Sequence, residues 1–416
     1  MAEEFASRMA LSSLGNPRPI SLNAKTMARL YPGVFQTSVS SLESYASCPF
    51  KFFSEKILGL KERAESELAA VDVGTVHHTI LEELVSDLVS KNQGLAHLSG
   101  EEVFAALRSS CERAAVRLHD GAVASNARDA YLLRRAAGRL ARVLRAQQRA
   151  TTRDGLRPKA AELTFGMEED KGLPALKLKT LGGRDVYLRG MIDRVDLIEL
   201  ADEFLGVVID YKNTRDKKLD FSQSYRGLSL QLLAYLLVLA DHGVTLAGRP
   251  VRPGGALYVS LGSQYHKVSH PSQDTSRDTA QEGTFRPRGL LNGELLNELK
   301  VEFGSDGWTQ SLAVHRKKDG ELGFVDRNDA APPESFQAML EHTRRRMAEL
   351  SGGILKGDMG IRPCRLGAFN PCSWCKMAMV CRFETDLCDV QYLGTLKRKE
   401  VYELLAGNPS QESSKE

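Results

Sequence analysis

The stretch from Leu188 to Asn213, LRGMIDRVDLIELADEFLGVVIDYKN, constrains this chain more than any other. Two runs rich in Val, Ile and Leu, 186–199 and 205–212, flank the polar Ala201-Asp202-Glu203, a pattern that predicts an antiparallel hairpin. A turn centred between Ala201 and Asp202 pairs residues whose numbers sum to 403, so Asp193 faces Asp210 on one side of the sheet. Lys212, two residues on, shares that side, while Val207, Ile209 and Tyr211 point to the other. Ala-Asp is a weak hairpin turn, and a slip of one residue would put the two carboxylates on opposite faces. Facing carboxylates repel unless a divalent cation lies between them, and such a cation lowers the pKa of a bound water beside the lysine ammonium. A surface hairpin with acids and a lysine on its wet side is the plainer account of the hairpin alone.

The wider pattern runs G-x-x-D-R-x-D, then V-I-D-Y-K, then Gln231-x-x-x-Tyr235 in SLQLLAYLLVL. It resembles the PD-(D/E)XK nuclease superfamily, in its RecB-like branch. The resemblance implies an α/β fold: a restriction-endonuclease-like mixed sheet flanked by helices. It also implies catalytic roles for Asp193, Asp210, Lys212, Gln231 and Tyr235. The family's further metal ligand is a histidine four residues after a glycine, which VDVGTVHHTILEEL supplies as Gly74 and His78. His77 competes, but helical spacing puts it on the apolar stripe with Ile80, Leu81, Leu84 and Leu88, the place of a packed core histidine. The implied magnesium or manganese site is then His78, Asp193, Asp210 and the backbone carbonyl of Tyr211.

SYASCPFKFF carries Cys48, and NPCSWCKMAMVCRFE carries Cys372, Cys375 and Cys381. Four thiolates suit either a structural zinc or an iron-sulfur cluster. The joint pattern resembles the iron-sulfur nuclease domain of AddB-type subunits of bacterial helicase-nucleases, which implies a [4Fe-4S] cluster. Closing Cys48 onto Cys372 would staple one domain shut, because the entropy of loop closure grows only slowly with length. Cys111, Cys364 and Cys388 stay unassigned; Cys364 is either a substitute ligand or a packed thiol.

Seven cysteines and no apolar N-terminal signal fit a reducing cytoplasm, and no apolar run reaches membrane-span length. An apolar fraction of 42% with a net charge of +3 describes an ordinary globular chain and excludes a polycationic coat. Basic charge is local: in YLLRRAAGRLARVLRAQQRATTR, Arg135, Arg139, Arg142 and Arg149 fall near one helical face. That stripe reads equally as a phosphate-tracking surface and as a solvated helix face. No G-x-x-x-x-G-K-[ST] loop is present for ATP.

The expected organisation is a leading segment 1–36, partly disordered, a nuclease domain 37–388 closed by the four cysteines, and a terminal helix and polar tail 389–416. Helices are expected at about 38–60, 73–92, 100–119, 124–150, 224–242, 334–351 and 391–406, strands near 160–166, 174–180 and 254–261, and a flexible loop over 269–289. Taken together with the resemblance, the chain is expected to be a magnesium-dependent exonuclease acting on single-stranded DNA ends, partnered by an AddA-type helicase-nuclease subunit in double-strand break repair. Two other functions fit the same residues: a DNA-binding iron-sulfur scaffold without catalysis, and a stand-alone single-strand nuclease of the CRISPR-associated type.

Overall fold

The computed structural model describes residues 21–61, 73–117, 127–150, 155–167, 172–262, 285–298, 301–309, 311–385 and 388–407. In chain order the first elements are α1 (Ala24–Leu30), β1 (Phe35–Ser38), α2 (Val39–Ser47), α3 (Pro49–Phe52), α4 (Val73–Ser90), α5 (Gly100–Arg117) and α6 (Ala127–Ala150). Next come β2 (Arg157–Phe165), β3 (Leu176–Lys179), β4 (Asp185–Glu199), β5 (Phe204–Lys212), α7 (Phe221–Tyr225), α8 (Gln231–Ala247) and β6 (Val251–Ser260). The last are β7 (Arg288–Asn292), α9 (Leu295–Glu298), β8 (Ala330–Ala331), α10 (Pro333–Leu355), β9 (Cys364–Leu366), α11 (Ala378–Cys381), β10 (Gln391–Leu393) and α12 (Arg398–Ala406).

A mixed sheet in the order β1-β4-β5-β6-β7-β8 forms the centre, with β2 and β3 also pairing along the long β4. The β4–β5 hairpin takes the register read from the sequence: Arg194 pairs Ile209, Val195 pairs Val208 and Asp196 pairs Val207. β5 and β6 are parallel, so the chain must cross back between them, and α7 and α8 make that crossing. The sheet is covered on both faces. Val195, Val208 and Tyr258 join one core with Leu42 of α2, Leu236 of α8 and Met347 of α10. Val207, Ile209 and Tyr211 join the other with Ile80, Leu107 and Leu144 of the helical layer α4–α6. Burial on both faces explains why β5 reads as a continuous apolar run rather than an alternation.

Three expected helices are interrupted. The helix placed at 38–60 breaks at Cys48, whose backbone is extended (φ −167°, ψ 116°), and restarts on Pro49, which needs no N–H partner at a first helical position. The helix placed at 224–242 instead begins at Gln231, because Gly227 takes a left-handed turn (φ 82°) after α7. Residues 391–393 of the expected last helix pair with β9 as a strand, and the helix starts at Arg398. Besides that strand, β10, four more escaped the sequence reading: β1, β7 and β8, which complete the sheet, and β9. The 269–289 loop lies outside the described residues up to position 284, and its end, Arg288 and Gly289, begins β7. Residues 1–20 are also outside the described residues, whereas α1 and β1 are ordered parts of the fold.

Candidate metal and nuclease site

Continuing the β4–β5 register one step beyond Arg194–Ile209 sets Asp193 opposite Asp210. The Asp193 carboxylate accepts the Tyr211 N–H at 2.8 Å, which ties the two strands at the level of the site. Asp210 is 1% exposed, and Lys212 Nζ lies 2.7 Å from its Oδ2. That contact is an ion pair without hydrogen-bond geometry, so both Asp210 oxygens are buried without a hydrogen-bond partner. Burial and the neighbouring charge of Asp193 push the Asp210 pKa up to about 6, and burial raises that of Asp193. A buried carboxylate with two unsatisfied oxygens facing a second, half-buried carboxylate is a donor set that a hard divalent cation takes.

Helices from both faces of the sheet send side chains to this point. α4 brings His78, whose Nδ1 is 3.6 Å from Asp193 Oδ2 and 3.8 Å from Glu162 Oε1. Those carboxylates raise the His78 pKa, Glu162 contributing most. From α8, Gln231 accepts a hydrogen bond from Lys212 Nζ at 3.2 Å and donates one to the Tyr235 hydroxyl at 2.6 Å. Tyr235 itself is buried, packed edge-on against Phe165 with its hydroxyl on Gln231. His77 is fully buried among the apolar residues of α4, as its place on the stripe requires, and burial holds its pKa down to about 4.

Two acidic residues of this neighbourhood were missed from the sequence. His78, Glu162 and Asp193 present ligand atoms that all lie within 4.8 Å of one another, the one such group among the described residues. Glu162 adopts a left-handed φ of 45°, an unfavourable conformation for a residue with a Cβ, in the middle of β2. Its position opposite Asp193 depends on the β2–β4 register, which no short turn announces. Glu43 of α2 accepts the backbone N–H of Leu230 at 2.6 Å and of Gln231 at 2.9 Å, capping α8 from a distant part of the chain. Burial raises its pKa. A signal existed, for Glu43 interrupts the apolar stripe formed by Val39, Leu42 and Ala46.

The rest of the D-R-x-D motif serves the opposite face. Arg194 is buried and forms two 2.6 Å contacts to Asp196 and one of 3.2 Å to the Tyr211 hydroxyl. The motif therefore places one acid in the site and locks the neighbouring tyrosine from behind.

Cys48, Cys372, Cys375 and Cys381 line one cavity of about 160 Å³ with Phe50, Pro363 and Met377. Among the described residues no three cysteine sulfurs lie within 4.8 Å of one another. Cys364 is fully buried beside Leu228 and Leu366, does not line that cavity, and has its thiol pushed up to about 11 by burial, as befits a packed thiol. Of the arginine stripe on α6, Arg135 and Arg142 are exposed, Arg139 is half-buried with its charge acting on His77, and the Arg149 side chain lies outside the described residues. No helix of the described residues is long and apolar enough to cross a membrane.

Residues 36–382 match a family model described as the PD-(D/E)XK nuclease superfamily. The chain is similar to proteins named as the B subunits of ATP-dependent helicase/deoxyribonucleases: 33% identical over 86% of this chain in Symbiobacterium thermophilum, 31% over 86% in Moorella thermoacetica and 30% over 91% in Geobacillus kaustophilus. It spans only 30%, 31% and 32% of those relatives. With the facing acids, lysine and glutamine gathered on two interior strands of a mixed sheet and the helix that follows them, and with the match running through nearly all of the described fold, the chain belongs to the PD-(D/E)XK nuclease superfamily.

Proposed function

We propose that this chain is a magnesium-dependent DNA exonuclease that hydrolyses phosphodiester bonds of single strands, and that it works as the nuclease part of a helicase-nuclease with an AddA-type partner in the bacterial cytoplasm. The observation that carries the reading is buried Asp210, its oxygens without a hydrogen-bond partner beside Lys212, facing half-buried Asp193. His78, Asp193, Asp210 and the Tyr211 carbonyl would hold magnesium or manganese, with Glu162 as a further oxygen donor. The bound cation supplies Lewis-acid stabilisation and a more acidic water. Lys212, held between Asp210 and Gln231, orients that water and offsets charge growing on the phosphate. Tyr235 fixes Gln231, and Glu43 fixes the helix end that carries it. Exposed Arg135 and Arg142, with Arg139 and Arg149 on the same helix, would track the strand.

Four thiolates around one cavity suit zinc as well as iron, and the resemblance to AddB-type subunits is what favours a [4Fe-4S] cluster there. Its part here would be structural, joining the start of the domain to its end.

The test is degradation of end-labelled single-stranded DNA by anaerobically purified protein with and without magnesium, with Lys212→Ala as control. Cleavage that needs magnesium and is lost in the variant supports the reading. DNA binding without cleavage by the wild type, in the presence of its motor partner, overturns it in favour of a scaffold.

A further inference from the structure

We propose that a second, cation-lined pocket on the same sheet face holds a non-scissile backbone phosphate of the single strand being cut, with Trp308 at its edge as a stacking surface for a base. The assignment rests on the nuclease reading and extends it to how the strand is held.

The sheet itself relates the two places. Asp210 pairs with Tyr258 on β6, and Tyr258 pairs with Arg288 on β7, so Asp210, Tyr258 and Arg288 stand side by side at one level of three adjacent strands. At roughly 4.8 Å per strand, Arg288 begins about 10 Å from Asp210. The ammonium groups of Lys212 and Lys217 lie 5.8 and 5.3 Å from the centre of the Tyr258 ring, which makes the space between the two places positive as well.

Beyond Tyr258 opens a cavity of about 500 Å³ lined by Lys218, Arg286, Arg288, Arg327, Arg398 and Trp308. Its acidic groups are already engaged. Asp329 is shared by Arg288 at 2.8 Å and Arg398 at 3.3 Å, and also accepts the Gly289 N–H at 3.0 Å. Asp220 caps α7 through the Gln223 N–H, and Asp326 accepts the Lys399 N–H. One buried carboxylate therefore serves two guanidinium groups. Arg398 is 8% exposed, lies 4.1 Å above the Phe221 ring, and keeps Nε and Nη1 buried without a hydrogen-bond partner. Arg286 Nε is likewise buried and unpartnered. A buried guanidinium N–H left unpaired is costly, and planar forks of this kind match phosphate oxygens. Trp308 is stacked on Phe324 with the ring planes 11° apart, which holds the indole rigid at the rim. A positive pocket with an aromatic platform is the usual means of holding a single strand without reading its sequence.

The experiment measures binding of a fluorescein-labelled oligothymidylate by anisotropy, with calcium in place of magnesium so that the strand is not cut, over a series of salt concentrations. Arg286→Gln/Arg327→Gln is the main variant, because neither residue shares Asp329 with Arg398; Trp308→Ala is the second, and thermal melting checks that both fold. The double variant should bind roughly tenfold more weakly, with the slope of log K against log salt reduced by about 1. Hydrolysis of the small substrate thymidine 5′-(p-nitrophenyl) phosphate should stay within about twofold, since that molecule reaches only the metal site. Unchanged affinity and slope in a folded double variant overturn the subsite and leave the nuclease reading intact. Loss of magnesium-dependent hydrolysis in the wild type overturns the nuclease reading, while binding still decides the subsite. If inorganic phosphate raises the melting temperature of the wild type but not of the double variant, and strand affinity is equal in both, the pocket takes free phosphate and the strand assignment fails.

Discussion

Glu43 and Gln231 are 188 residues apart in sequence, yet the Glu43 carboxylate accepts the Gln231 backbone N–H at 2.9 Å. The same oxygen accepts the Leu230 N–H, so one side chain of α2 satisfies two of the orphan donors at the start of α8, where no residue of that helix offers a side-chain cap. Helix α8 carries Gln231 and Tyr235, and through Gln231 it holds Lys212.

Replacing Glu43 should therefore do two things at once. Glu43→Ala leaves two N–H groups buried and unpaired, a loss of roughly 1–3 kcal/mol, and loosens Gln231. We expect a lower melting temperature and a fall in the turnover of magnesium-dependent cleavage with little change in strand affinity. Glu43→Gln, which keeps an acceptor oxygen, should recover part of both. A turnover equal to wild type in Glu43→Ala would remove the positioning role.

The pH dependence of the metal-free protein follows from Asp210. Its folded pKa, about 6, lies above the ordinary value of 3.8, so the unfolded chain releases this proton first. The contribution is fully present below the ordinary value and is lost as pH rises through about 6. Without divalent cations, Asp210→Asn should thus melt higher than the wild type at pH 7.5, by roughly a few degrees, and the gap should close as pH falls below about 4. Magnesium should raise the wild type at pH 7.5 and leave the variant unmoved. Thermal melts across pH with a chelator, then with magnesium, check both signs.

Arg194 and Asp196 form a buried ion pair behind the site. Asp196→Asn strands a buried guanidinium and should cost roughly 3–5 kcal/mol. The double change Arg194→Met/Asp196→Leu removes both charges and should restore most of that loss, by denaturant unfolding, while Tyr211 loses its hydroxyl partner. A double variant as unstable as the single would show that the pair is needed as such.

Cys48 lines the same cavity as Cys372, Cys375 and Cys381. Cys48→Ser should lower bound iron and the broad visible absorbance of anaerobically purified protein and reduce the melting temperature, while magnesium binding at the carboxylates persists. Full metal content and an unchanged melt would sink the four-cysteine assignment. Zinc in place of iron, by elemental analysis, would overturn the cluster and keep the staple.

The β4–β5 hairpin was legible because its information is local: two apolar runs, a short polar turn and a period of two set the register that puts Asp193 and Asp210 together and Tyr211 on the far face. His77 and His78 were separable for the same kind of reason, since helical spacing alone sends one ring into the core and leaves the other at its edge. Local spacing located Cys372, Cys375 and Cys381, and the family resemblance joined Cys48 to them, as their shared cavity has it. Other features depend on chain segments that meet only after folding. Glu162 reaches the site through a β2–β4 register reached by no tight turn and a backbone conformation no propensity favours. Glu43 caps a helix whose start is decided by Gly227 rather than by the apolar run that follows. Arg288 joins the level of Asp210 because two further strand pairings carry it there. The sequence by itself determined the hairpin, its facing acids with the nearby lysine, and the Cys372/Cys375/Cys381 cluster, because each is written within a short stretch of chain. The tertiary structure decided which acids, helix ends and arginines surround them, because those contacts depend on pairings between segments that are far apart in the chain.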